Sequence, residues 1–127
     1  MGLDMYMLSR FGYETDDHKN QYSEEEVAYW RKHPDLHRFF EDEWRKLPGN
    51  ENKSDMDFNC QFLEMNEEII EKALFRVTMR ALPNNDGGFF FGESTYTKED
   101  IRMDLQQLSR VKELLKNNVK VYYYSSF

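Results

Sequence analysis

Apolar and polar residues follow short, changing periods along this chain. Leu3, Met5 and Met7 alternate with Asp4, Tyr6 and Leu8, which predicts a strand with both faces at least half buried. Residues 12–22, with Gly12, Asp16, Asp17, His18 and Asn20, read as a polar loop. Ser23-Glu24-Glu25-Glu26 has capping-box spacing and predicts a helix through Val27 and Trp30, although Glu26–Trp30 also fits a short strand. Pro34 disfavours helical geometry at His33, so a new helix starts there. Leu36, Phe39, Phe40, Trp44 and Leu47 recur at helical spacing and give it an apolar stripe, which Pro48-Gly49-Asn50 ends. Residues 48–57 form a second polar loop, the segment least equipped to order.

Beyond it, Phe58, Cys60 and Phe62 alternate with Asn59 and Gln61 and predict a half-buried strand. Asn66 caps a helix with Glu67 and Glu68 at the positive end of its dipole and Ile70, Leu74, Val77 and Ala81 along one side. Residues 83–88 are rich in turn formers, and Phe89-Phe90-Phe91 is a short extended piece bracketed by glycines. Thr97 caps a final helix with Ile101, Leu105, Leu108, Val111 and Leu115 on one face. Asn117-Asn118 closes it, and Val119–Tyr124 is a last strand. This order predicts an α+β fold: a small, largely antiparallel sheet including both terminal strands, with three to four helices on one face, in one domain over residues 1–127.

Composition changes the picture in two ways. A mean hydropathy of -0.89 and 32% charged residues suggest disorder, but 16% aromatic residues argue for a folded core. The net charge of -7 opposes a general nucleic-acid binder, which needs a cationic footprint. Cys60 is the only cysteine, so the chain forms no internal disulfide; its alternation with two phenylalanines predicts a buried, inert thiol. There is no apolar run of membrane-spanning length and no signal-peptide pattern, and Tyr6 stands where myristoylation wants Ser or Thr. A cytoplasmic protein is therefore expected.

Candidate chemistry concentrates at Tyr29-Trp30-Arg31-Lys32 with His37. Aromatic faces stack on a base, while Arg and Lys hold phosphate or carboxylate. The competing reading is that Tyr29 and Trp30 are core and the two cations are solvated. Gly87–Gly92 lacks P-loop and dinucleotide-binding spacing and reads as a turn with buried phenylalanines. His33 and His37 are four apart, but Pro34 places His33 at the cap, so no metal site and no cofactor are assigned. Asp4 and Tyr6 share the strand face opposite Met5, and Asp4 wants a partner, Arg31 or Lys32. Ser125 and Ser126 lack nucleophile context. Asp16-Asp17 and Glu41-Asp42-Glu43 read as solvated acidic faces or, alternatively, as contacts for a protein partner.

At this point the chain resembles a family of small proteins of bacteriophages and prophages. The likeness rests on Met1–Tyr6, Glu26-Val27-Ala28-Tyr29-Trp30-Arg31-Lys32, Leu36-His37, Phe39-Phe40, Gly88–Gly92, Tyr96 and Tyr123-Tyr124-Ser125-Ser126, about a third of the chain in the same order. It departs from the family's pattern at His33-Pro34. The resemblance implies a mobile-element origin and supplies no activity. The resulting expectation is a non-enzymatic accessory protein in the bacterial host cytoplasm that neutralises a host target, a defence protein or a nucleotide signal. For a small nucleotide, Tyr6, Trp30, Arg31, Lys32, His37, Tyr96 and Tyr124 are the expected contacts; for a host protein, Asp16, Asp17, Glu41, Asp42 and Glu43. The rivals are a small enzyme acting on a nucleotide or nucleic acid, with His37 as acid–base, and an acidic mimic of nucleic acid. Edge pairing of the terminal strand would make a homodimer.

Overall fold

The computed structural model describes residues 2–14, 20–82 and 97–127, with side chains outside 10–24. Among these residues the order is β1 (Asp4–Glu14), β2 (Asn20–Arg31), α1 (Pro34–Arg45), a 3-10 turn (Asp55–Phe58), β3 (Phe62–Glu64), α2 (Glu67–Thr78), α3 (Lys98–Lys116) and β4 (Lys120–Ser126). The strands form one antiparallel sheet in the order β2-β1-β4-β3. The expected α+β class holds, with both terminal strands in the sheet and side by side.

Alternation along the strands separates the two faces. Leu3, Met5, Met7, Ala28, Trp30, Leu63, Val121 and Tyr123 point inward and are buried with Leu36, Phe40, Ile70, Val77, Leu108 and Val111 of the helices. Phe40 of α1 stacks on Tyr123 of β4 with ring centroids 4.3 Å apart. Trp44 closes on Phe58 at 4.9 Å, so the 3-10 turn seals one end of the core. The helical caps follow the sequence. Asn66 accepts from the Ile69 amide, and Thr97 and Asp100 form a reciprocal capping box.

Three local expectations are overturned. Ser23–Trp30 is strand, not helix: β2 pairs with β1 from Asp4–Arg31 to Glu14–Asn20, and this long ladder overrides one local capping signal. The register shifts between Met7 and Leu8, which leaves Val27 as the extra residue of a bulge. The same hairpin turns residues 12–14 and 20–22 of the expected loop into strand, while 15–19, with Asp16 and Asp17, lie outside the described residues. Second, Phe58, Cys60 and Phe62 are not one strand. Phe58 ends the 3-10 turn in the core, Cys60 is exposed at φ +61°, and in β3 Leu63 points inward while Phe62 points out. Cys60 is therefore not a buried thiol. Third, the polar stretch 48–57 holds turns and the start of the 3-10 turn, tied down by Arg45, which donates to the Lys53 carbonyl and to Asp55.

Strand β4 lies between β1 and β3, so it is not an edge, and dimerisation through it is closed where it is paired. The β2 edge is covered at Tyr29. The Gln107 side-chain amide accepts from the Tyr29 N–H at 2.8 Å and donates to its carbonyl at 3.0 Å, in the place of a neighbouring strand. Arg110 donates to the Val27 carbonyl beside it. Among the described residues no helix is long and apolar enough to cross a membrane.

Candidate functional site

Where β2 ends, the chain must leave the sheet and enter α1 within two residues. Lys32 makes that turn in the left-handed region at φ +55°, a strained conformation for a residue with a Cβ. The Lys32 amide is anchored to the Leu3 carbonyl at 2.9 Å, and Pro34 starts the helix. A cavity of about 460 Å³ opens beside this turn. Tyr29, Trp30, Arg31 and Lys32 from β2 and the turn form one wall, and Asp100, Met103, Asp104 and Gln107 from α3 form the other. His33 and Asp35 complete it at the start of α1.

The floor is a buried hydrogen-bonded cluster. Asp104, 2% exposed, accepts from the Trp30 indole N–H at 2.8 Å through Oδ1 and meets His33 Nε2 at 2.6 Å through Oδ2. The Leu36 amide points at His33 Nδ1 at 3.5 Å as the helix cap. An Nδ1 that accepts fixes the proton on Nε2, so His33 donates to Asp104. The indole is held with only 6% of its residue surface exposed. The rim is different. Arg31 and Lys32 are exposed and enter no ion pair among the described residues. Asp100 is held below the usual carboxylate range by hydrogen bonds from the Thr97 backbone and hydroxyl. Met103, 55% exposed, adds an apolar lip.

The sequence-derived contacts divide between places. Trp30, Arg31 and Lys32 line the cavity. Tyr6 and Tyr124 lie on the outer face of the sheet, outside it. Tyr96 lies outside the described residues. His37, expected beside the cations, is instead in the core at 2% exposure, with Nδ1 2.7 Å from the Tyr123 hydroxyl and its ring against Phe58 and Phe127. Burial lowers its pKa from 6.5 to about 4, only partly opposed by Asp55, so it stays neutral. Asp4 finds the Tyr29 hydroxyl at 2.5 Å rather than Arg31 or Lys32.

The acidic run of α1 is also not the solvated face expected of it. Glu41 and Glu43 are buried, and Asp42 pairs with Arg38. Lys72 and Lys46 bond Glu43 at 2.8 and 3.0 Å; burial would raise its pKa, but these bonds win and lower it. Glu41 goes the other way. Burial first, then repulsion from and a hydrogen bond with Asp55, lift it to about 7, only partly opposed by Arg45, which sits 2.7 Å from Asp55 and 3.5 Å from Glu41.

Sequence reasoning missed the α3 wall. Its signal was present: Asp100, Met103, Asp104 and Gln107 fall at i, i+3, i+4 and i+7, one helical face beside the apolar stripe. Among the described residues no group of three His, Cys, Asp or Glu could hold a metal ion. No protein-family model, curated protein or solved structure matches the chain.

Proposed function

We propose that this protein binds a small nucleotide in the cavity at the β2–α1 turn, without converting it, and that it serves as a phage or prophage accessory protein in the bacterial cytoplasm that sequesters a nucleotide signal of host defence. The phage assignment leans on the sequence resemblance alone. What supports the binding reading is a cavity of about 460 Å³ that brings two exposed cations, Arg31 and Lys32, together with Tyr29 and the edge of the Trp30 indole, although Asp35, Asp100 and Asp104 share its lining. The strained backbone at Lys32 fits a residue held in place for contact rather than for stability.

The histidines favour binding over chemistry. Both His33 nitrogens are engaged, with Asp104 and the Leu36 amide, and His37 is sealed in the core. A host-protein target recognised through the α1 acids is less well supported, since Glu41 and Glu43 face inward. A thermal-shift screen of mono-, di-, triphosphate and cyclic nucleotides tests the reading. A binder at 100 times its Kd should stabilise the fold by about 2.7 kcal/mol. An Arg31→Ala/Lys32→Ala variant should fold and lose that shift. No shift with any nucleotide would refute the proposal.

A further inference from the structure

At the end of α1 remote from the cavity, the chain between Arg45 and the 3-10 turn lies on the protein through few contacts. Residues 46–54 are exposed apart from Asn50, which donates from its side chain to the Trp44 carbonyl at 3.1 Å. The charged hold comes from Arg45, whose guanidinium donates to the Lys53 carbonyl and to Asp55, the latter at 2.7 Å. Lys53 is thereby kept over the Trp44 ring, its Nζ 5.7 Å from the centroid, and Trp44 is buried. Beyond the turn the chain is fixed to β4. The Phe127 amide donates to the Asn59 side chain, and the Cys60 amide to the Ser125 carbonyl, each at 2.8 Å.

A second acid competes for Arg45. Glu41, one helical turn earlier, has Oε2 3.5 Å from the same Nη2 that bonds Asp55. One guanidinium cannot neutralise two carboxylates, and Arg38, the other cation near Glu41, is 3.2 Å from Asp42. From β4 the group that faces Glu41 is the Tyr123 hydroxyl, which burial keeps protonated and which meets His37 Nδ1 at 2.7 Å. His37 is neutral above about pH 4, so neither brings positive charge. The site therefore suits Glu41 as a neutral acid, in keeping with a pKa of about 7.

Ionisation reverses the preference of Arg45. The Asp55 side chain is 38% exposed and can be hydrated where it stands, whereas the Glu41 side chain is 5% exposed and cannot. A buried carboxylate left unpaired costs more than a hydrated one. We infer that Arg45 is a proton-controlled clasp: with Glu41 neutral it holds residues 46–55 against α1 through Asp55 and the Lys53 carbonyl, and with Glu41 ionised it turns to Glu41 and lets that stretch swing away from Trp44. The clasped form keeps a proton that the open form releases. Opening thus becomes easier as pH rises from 4.5 to about 7 and levels off beyond.

Native-state cleavage by trypsin reads the clasp directly, because the Lys53 carbonyl that trypsin must attack is the one Arg45 holds. The rate of the cut after Lys53, followed by mass spectrometry, should be compared between the whole parent chain and Glu41→Gln at each pH, so that the protease's own pH dependence cancels. The parent-to-variant ratio should rise about fivefold from pH 6 to pH 7 and change little above that. Asp55→Asn, which weakens the clasp without emptying a buried position, should be cut faster than the parent at pH 6 and show a smaller rise. A ratio that stays flat from pH 6 to pH 7 would overturn the inference. So would a Lys53 cut no faster than the cut after Arg110, beside buried Val111, since the stretch would then open only with the whole protein.

Discussion

Replacing Glu41 by Gln should stabilise this protein above neutral pH and leave it unchanged in acid. Glu41 is 4% exposed and shares one guanidinium with Asp55, which takes the shorter contact. Burial first, then the Asp55 carboxylate, lift its pKa from 4.5 to about 7. For an acid raised in the folded state, the native protein keeps a proton that the unfolded chain releases. Stability from this group is thus greatest below pH 4.5 and declines as pH climbs to about 7. At about 1.4 kcal/mol per pH unit the loss is at most about 3 kcal/mol. Gln resembles the protonated acid in shape and hydrogen bonding, so the variant escapes that loss. His37 runs in the opposite direction. Its pKa falls from 6.5 to about 4 on burial, so stability drops as pH falls through that interval, by a similar amount. In the parent the two slopes oppose each other between pH 4.5 and 6.5. Glu41→Gln removes one of them, so the variant's stability should rise steeply with pH over that window. Urea unfolding from pH 4.5 to 8.5 measures both curves. A variant less stable than the parent at pH 8, or a difference independent of pH, would refute the reasoning and make Glu41 a charged partner of Arg45.

Two further outcomes follow from the cavity walls. Asp104→Ala removes the acceptor of both Trp30 and His33 inside the protein and should cost about 3–5 kcal/mol by urea unfolding; Asp104→Asn, which keeps an acceptor for the indole, should cost distinctly less. Gln107→Ala uncovers the Tyr29 backbone at the β2 edge, and sedimentation should show concentration-dependent association absent from the parent.

Much of the scaffold could be read from the chain because its signals are local. The Leu3-Met5-Met7 alternation, the α1 stripe from Leu36 to Trp44, the Asn66 and Thr97 caps and the terminal strand each need only a dozen residues, and each is in the structure, whereas Leu47 lies past the end of α1 and is exposed. Strand β2 was misread because Ser23–Glu26 offers a good cap locally, whereas its pairing with β1 is a tertiary fact. The Phe58-Cys60-Phe62 alternation imitated a strand because Phe58 is buried from a 3-10 turn instead. Half of the cavity was visible as the consecutive Trp30-Arg31-Lys32. The other half comes from α3, where Asp104 is 74 residues away from Trp30, and no local period announces such a meeting. The acidity of α1 misled for a related reason: Glu43 is neutralised by Lys72 of another helix.

The indole N–H signals of the two tryptophans give the most direct test of ligand binding at the β2–α1 turn. Trp30 forms the cavity floor through its bond to Asp104, and Trp44 packs on Phe58 outside the cavity lining as an internal control. In a proton–nitrogen correlation spectrum titrated with adenosine monophosphate, the Trp30 indole and the Arg31 and Lys32 amides should move together and saturate while Trp44 stays still. A Trp30 signal that never moves, or equal shifts at both indoles, would contradict the assignment of the cavity as the binding site.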